Sequence, residues 1–161
     1  MQPVTTAPTA VRRDLSAAIH RALETFARVS LGLIFFLVGL DGFIDVLPHP
    51  SRPLPERALL FAGALLKSAD FVPLLKGTEL IAGAVLLLNR WVPLAVAILA
   101  PVVLNIVAFH VFLAPEGVPL ALILLVLEAY LAWTSRHAYW RSLAMPDVGT
   151  APRGPGSPRQ V

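Results

Sequence analysis

The sequence predicts an all-α fold, an integral membrane four-helix transmembrane bundle with an N-terminal amphipathic helix and a short interfacial or re-entrant helix between spans 1 and 2. Hydrophobic residues make up 57% of the chain and charged residues only 14%, whereas soluble domains carry about 25% charged residues. This composition excludes a disordered chain and indicates that lipid surrounds most of it. Four apolar segments approach the roughly 20 residues that cross a bilayer core.

The four spans are predicted at about residues 27–47, 71–89, 91–114 and 117–134. The third span contains no formal charge, whereas the second contains Lys76 and Glu79 in its first third. The turn between spans 2 and 3 consists of Asn89 and Arg90 alone. A connection this short predicts that these two helices are antiparallel neighbours.

The rest of the chain divides by pattern and composition. Residues 1–10 lack periodicity and predict a flexible tail, and residues 11–145 form the transmembrane domain. Within that domain, residues 58–66 are apolar but too short to cross a bilayer, which predicts the short interfacial or re-entrant helix. Residues 146–161 are rich in Pro, Gly and Ser and predict a disordered tail. Residues 11–27 predict an amphipathic helix, because these apolar residues recur at helical spacing: Val11, Leu15, Ala18, Ile19, Ala22 and Phe26.

The distribution of basic residues predicts the orientation. The side of the two termini carries nine of them and the opposite side four, which places both termini in the cytoplasm. The arginines flank apolar runs and form no basic stripe, so the net charge of +3 indicates membrane orientation rather than nucleic-acid binding. The chain has no cysteine, which excludes disulfides, iron–sulfur clusters and cysteine-based zinc sites.

Polar residues within the spans call for an explanation, since an acid at bilayer depth costs about 2.5–3.5 kcal/mol. At about 1.5 Å per helical residue, four of these residues from three spans lie within ~6–13 Å of the outer ends of their spans. They are Asp41, Glu79, Asn105 and His110. Glu128 lies deeper, near the midplane, where it requires either a partner on another helix or a role of its own.

Two interpretations of these residues are open. In the first, they line a polar pocket that opens outward, with Glu79 as the proton-exchanging acid and His110 as a hydrogen-bonding or protonatable partner. Asp41 and Asn105 complete the lining of that pocket. In the second, they form a structural network in which Lys76 pairs with Asp41 or Glu79 and Asn105 bridges helices. The numerous glycines of spans 1 and 2 predict close helix contacts at Gly32, Gly39, Gly42, Gly77 and Gly83.

No catalytic motif is visible, so whether the protein is an enzyme stays open. The sequence contains no GxGxxG, P-loop or nucleophile-elbow pattern. A bis-histidine haem needs two histidines within the membrane, and only His110 qualifies. No arrangement of residues predicts a metal site.

Three stretches resemble the DoxX-like family of small bacterial membrane proteins. They are residues 28–43, 73–83 and 99–110 with Ala114-Pro115, and the Glu79-Leu-Ile-Ala-Gly83 segment is the most specific part. The resemblance covers about residues 26–135. It implies a four-helix bundle in the bacterial inner membrane that acts as an accessory membrane subunit of a quinone-linked redox system. Quinone is then the candidate cofactor, and the lipid bilayer and other redox-complex subunits are the candidate partners.

One departure from the family pattern affects the candidate site. Asp41 stands where family members carry Lys or Asn, so an ion pair between this position and Glu79 cannot be carried over. Two other functions are retained as alternatives. One is a non-enzymatic membrane scaffold or assembly factor, and the other is a small-solute or proton conduit that uses Asp41, Glu79 and Glu128.

Overall fold

The computed structural model describes residues 7–48, 54–67 and 70–143. Within these ranges every regular element is helical and no strand occurs, which confirms the all-α prediction. The predicted C-terminal tail, residues 146–161, and residues 1–6 of the predicted N-terminal tail lie outside the described residues. The helices are α1 (Ala7–Asp41), α2 (Glu56–Leu66), α3 (Phe71–Leu87), α4 (Val92–Phe112) and α5 (Val118–Leu143), with a 3-10 turn at Pro115–Gly117.

The predicted amphipathic helix and the predicted first span form one continuous helix. α1 has 35 residues, begins within the predicted tail and ends at Asp41, not at residue 47. The end of the helix has a local cause, because the Asp41 carboxylate accepts hydrogen bonds from the backbone N–H groups of Val46 (3.0 Å) and Leu47 (2.7 Å). A side chain that bonds the following backbone in this way competes with continuation of a helix.

Three helical segments are long and apolar enough to cross a membrane: Arg12–Asp41, Val92–Phe112 and Pro115–Tyr139. These correspond to predicted spans 1, 3 and 4. The predicted second span is α3, which has only 17 residues, or about 26 Å of helix, and contains a charged pair. The predicted short helix between spans 1 and 2 is α2, which has 11 residues. α5 continues to Leu143, beyond the predicted end of span 4.

The four longer helices pack in a ring. α1 packs most extensively against α3, and α4 against α5, while contacts between α1 and α5 and between α3 and α4 close the ring. All four helices contribute to one apolar core, in which Leu31, Leu99 and Leu131 are fully buried. Outside this core, many large apolar side chains are exposed, as expected where hydrocarbon rather than water covers the surface.

Glycines bring α1 and α3 into backbone contact. Gly39 lies directly against the backbone of Leu80, and Gly83 lies against the backbone of Phe36. A Cβ atom added at Gly83 would also lie 2.8 Å from the carbonyl oxygen of Gly32. As the residue numbers of these contacts rise along α1 they fall along α3, so the two helices are antiparallel. Small residues permit this close packing of helices in membranes, as predicted for Gly32, Gly39 and Gly83. Gly42 instead lies against the Lys76 side chain, and the prediction is wrong for Gly77, where an added Cβ would have only Cζ of Phe43 within 4 Å, at 3.9 Å.

One hydrogen bond fixes the axial register of α1 against α3. The Arg28 guanidinium donates from Nη1 to the carbonyl oxygen of Leu86 at 2.7 Å, which places Arg28 beside the C-terminal end of α3, where a cation is favourable. We call the two ends of the helix ring the Arg28 end and the Asp41 end. The part of α1 before Arg28, about 32 Å long, extends beyond the Arg28 end, and residues 12–26 are exposed throughout.

The backbone contact predicts that Gly39→Ala destabilises the protein. The added Cβ would overlap backbone atoms of Leu80, which cannot move aside as a flexible side chain would, so we expect a loss of about 1–3 kcal/mol. Gly63→Ala in α2 is the matched control, because no atom lies within 4 Å of its added Cβ. Thermal unfolding in detergent should show a lower midpoint for Gly39→Ala and no loss for Gly63→Ala. Equal midpoints for Gly39→Ala and the parent would contradict the contact.

Candidate functional site

Glu79 is buried and paired within its own helix. Its side chain lies on the face of α3 that packs into the core, and the residue is 3% exposed. Lys76, one turn earlier, donates a hydrogen bond from Nζ to Oε2 of Glu79 at 2.9 Å. The aliphatic stem of Lys76 covers Gly42 of α1. The pair therefore neutralises the acid at the contact between α1 and α3, as the structural interpretation of the sequence predicts.

Asp41 and His110 also bond to nearby backbone. Asp41 holds the turn that follows α1 through the two hydrogen bonds to Val46 and Leu47. The Nδ1 atom of His110 lies 2.8 Å from the carbonyl oxygen of Ile106, so this nitrogen is the donor. The His110 ring packs directly on Gly117, at the turn between α4 and α5. Both side chains thus stabilise connections at the Asp41 end.

Asn105 lies on the outer surface of α4. It is exposed, as are Pro101 and Leu104 beside it, and Leu104 is 59% exposed. The structure therefore does not turn Asn105 towards the core that contains Glu79. Of the four residues predicted to line a pocket, Glu79, Asp41 and His110 are each engaged with nearby groups, and Asn105 points outward.

Glu128 has a different environment from Glu79. It lies about 15 Å along α5 from Val118, is 4% exposed, and neither carboxyl oxygen has a hydrogen-bond partner. Its neighbours one turn away on the same helix face, Leu124 and Leu131, belong to the apolar core. A buried carboxyl group without a partner costs free energy whether or not it carries a charge. The sequence indicates the depth of this acid, and none of the residues that the structure describes forms a hydrogen bond with its carboxyl group.

A groove between α3 and α4 was not predicted from the sequence. It has a volume of about 340 Å³, and its lining is apolar except for the Thr78 hydroxyl and the Trp91 ring nitrogen. Buried Ala82 and Ala95 lie in it, and the exposed Ile81 forms part of its rim. The small residues at facing positions of α3 and α4 are the sequence signal that could have indicated it. The lining residues are Thr78, Ile81, Ala82, Val85, Trp91, Leu94, Ala95 and Ile98.

Two further grooves lie nearer the Arg28 end. One, of about 510 Å³, lies between α4 and α5, beside the hydrogen bond from the Tyr139 hydroxyl to the Pro93 carbonyl oxygen (2.7 Å). The other runs along α1 from Arg21 to Ser30. None of these three grooves is lined by the five residues singled out from the sequence. In the described ranges, no group of three His, Cys, Asp or Glu side chains could hold a metal ion.

Comparisons of the chain with protein-family models, curated proteins and solved structures gave no match. The resemblance to the DoxX-like family therefore stays a prediction. What the chain does must be argued from its apolar helices, its two buried acids and the groove between α3 and α4.

The different environments of the two buried acids predict opposite responses to the same substitution. Glu128→Met removes an unpartnered carboxyl from an apolar site, and we expect it to raise the stability by about 1–3 kcal/mol. Glu79→Met leaves the Lys76 ammonium without its partner, and we expect a loss of about 1–3 kcal/mol.

Thermal unfolding of both variants in the same detergent measures this contrast. The double variant Lys76→Met with Glu79→Met is the control, since it should recover part of the stability that Glu79→Met loses. A shift of both single variants in the same direction would contradict the assignment of Glu79 as paired and Glu128 as unpaired.

Proposed function

We propose that this chain is an accessory membrane subunit of a quinone-linked redox system, of the DoxX-like type. The observation that carries the proposal is the apolar groove between α3 and α4. Its rim residues Ile81 and Leu94 are 66% and 56% exposed, so in a bilayer the groove opens towards hydrocarbon. A ligand that enters it must come from the lipid phase, as a quinone with an isoprenoid chain does.

The chemistry of the groove fits such a ligand. Its apolar walls suit an isoprenoid chain, and the indole N–H of Trp91 is a donor for a carbonyl oxygen of the head group. The Thr78 hydroxyl already donates its proton to the carbonyl oxygen of Leu74 at 2.8 Å, so it can only accept a further hydrogen bond. Pockets for small molecules combine a mostly apolar lining with a few polar groups in this way. A bound quinone supplies reversible uptake of two electrons and two protons, and the residues of this chain would hold it.

The polar residues support an accessory rather than a catalytic role. Glu79 stabilises the contact between α1 and α3, and Asp41 stabilises the turn that follows α1. His110 stabilises the connection between α4 and α5. These structural hydrogen bonds also favour the second candidate function, a non-enzymatic scaffold or assembly factor. The two functions differ in the groove, because a scaffold does not require it to bind a quinone.

We also propose that α3 is the fourth span, in a bacterial inner membrane with both termini in the cytoplasm. α3 lies antiparallel to α1 and contacts it from Lys76, near the start of α3, to Leu86, near the end of α3. α3 therefore covers the same depth as the part of α1 that it contacts. The pairing of Lys76 with Glu79 lowers the cost of placing both charges at that depth. The excess of basic residues beside the termini supports the orientation.

Labelling of single cysteines tests whether α3 crosses the membrane. The chain contains no cysteine, so the parent protein is an unlabelled control. If α3 crosses, a membrane-impermeant maleimide added outside intact cells should label Arg57→Cys before α3 and Glu116→Cys after α4. It should label Arg90→Cys only after lysis. Labelling of the Arg57→Cys and Arg90→Cys variants from the same side would contradict a crossing by α3.

Quinone content tests the function. Protein purified in mild detergent from membranes that contain quinone should retain it, and extraction followed by chromatography measures the amount per chain. Ile98→Trp places a larger side chain in the groove and should lower the retained quinone by roughly tenfold, a loss of about 1.4 kcal/mol in binding.

The matched control is Ile123→Trp. Ile123 is also an exposed isoleucine, with 55% of its surface exposed against 41% for Ile98. It lies on α5 outside this groove, so the Ile123→Trp variant should retain the parental amount of quinone. Absence of quinone from the parent protein would overturn the redox proposal and leave the scaffold function. Equal losses in both variants would exclude the groove as the binding site.

A further inference from the structure

One face of α1 carries an apolar stripe that is exposed and that no other described part of the chain covers. Successive members of the stripe are four and three residues apart in strict alternation. All are exposed; the fractions reach 61% at Leu15 and 66% at Phe26. We call this set the α1 stripe, and it consists of Leu15, Ile19, Ala22, Phe26, Val29 and Leu33.

The alternating spacing is that of a coiled coil. An apolar repeat of 3.5 residues keeps its seam facing a partner helix over several turns, whereas a helix that covers a core follows a period nearer 3.6. The residues that flank the α1 stripe on both sides carry no charge: Ser16, Ala18, Leu23, Thr25, Ser30 and Gly32. Charged residues between Leu15 and Leu33 lie only on the opposite face, at Arg21, Glu24 and Arg28.

Half of the α1 stripe lies beyond the other described helices. Arg28 is level with the end of α3 through its bond to Leu86, so Leu15 lies about 20 Å further out along α1. Between residues 9 and 31 there is neither Pro nor Gly, the usual sites of a helix kink. α1 therefore contains no Pro or Gly hinge at which its outer half could bend to lie flat on the membrane surface, and the other described helices do not cover the apolar residues there.

We propose that the α1 stripe pairs in parallel with the α1 stripe of a second copy of this chain. Copies inserted in the same orientation present the stripe at the same height, so a two-fold axis along the membrane normal brings identical residues together. The α1 stripe begins outside the helix ring and ends beside the ring. The same stripe on a second copy has the same length and could pair with it from end to end. The uncharged flanking residues bring no like charges together in such a homodimer.

The pairing is independent of the proposed redox function, because the groove between α3 and α4 contains no residue of α1. A partner subunit or the membrane surface could cover the α1 stripe instead. These two covers give different results in the experiments below.

Disulfide cross-linking in native membranes tests the pairing directly. The cysteine-free chain accepts single cysteines at Leu15, Ile19 or Ala22 on the stripe. Ala17→Cys, His20→Cys and Glu24→Cys, on the opposite face, are the matched controls. Cysteines at the seam meet their counterparts, so we expect roughly tenfold more disulfide-linked homodimer from the stripe variants than from the controls.

A charge placed in the seam provides a second measurement. Ile19→Asp should convert the purified dimer to a monomer by sedimentation in detergent, whereas the adjacent His20→Asp should leave it dimeric. Ile19 is 50% exposed and lies outside the helix ring, so helix content by circular dichroism should be unchanged in both.

Three results would each overturn the proposal. One is a parent protein that is monomeric, with equal cross-linking at stripe and control positions. Another is cross-linking of the stripe variants to a different protein only, which would assign the stripe to a partner subunit. The third is stripe cysteines that resist both cross-linking and an aqueous maleimide, which would place the stripe in the membrane interface.

Discussion

The backbone contact between α1 and α3 is the constraint on which the remainder of the structure depends. Gly32 and Gly39 on α1 and Gly83 on α3 remove the side chains that would keep the helices apart. In hydrocarbon, helices gain little from burying apolar surface against each other, so close packing and hydrogen bonds must hold them together. The contact positions α3, a helix of 17 residues with two charges, and α3 in turn forms one wall of the groove with α4.

The two buried acids show that depth alone does not determine what an ionisable residue does. Glu79 has Lys76 one turn away on the same helix, so its charge is paired within α3 and needs no partner from α1. No charged residue lies one turn from Glu128 on α5, and within the described part of the chain its carboxyl oxygens have no hydrogen-bond partner. Glu79 therefore contributes to packing, whereas Glu128 is a cost that the apolar contacts around it must offset.

Features that depend on local sequence were predicted well. Runs of apolar residues gave the positions of α3, α4 and α5, and the spacing of Lys76 and Glu79 allowed their pairing. The sequence did not indicate that α1 ends at Asp41, because that end depends on a side chain bonding to the following turn. The outward position of Asn105 could not be predicted either. Apart from Asn105 and His110, α4 is apolar on all sides, and these two residues lie roughly 140° apart around the helix. They therefore give no single direction for its rotation, which its contacts with α3 and α5 determine. The groove likewise arises only when α3 and α4 lie side by side.

The proposed fourth span depends on contact with α1 to hold α3 at membrane depth. Backbone amide hydrogen exchange in lipid nanodiscs measures this most directly, because amides shielded in the bilayer exchange slowly. We expect residues 71–87 to be as protected as residues 29–41 in the parent protein. In Gly39→Ala, protection of α3 should fall while α4 and α5 keep theirs. Rapid exchange of α3 in the parent, or protection unchanged by the substitution, would contradict the account.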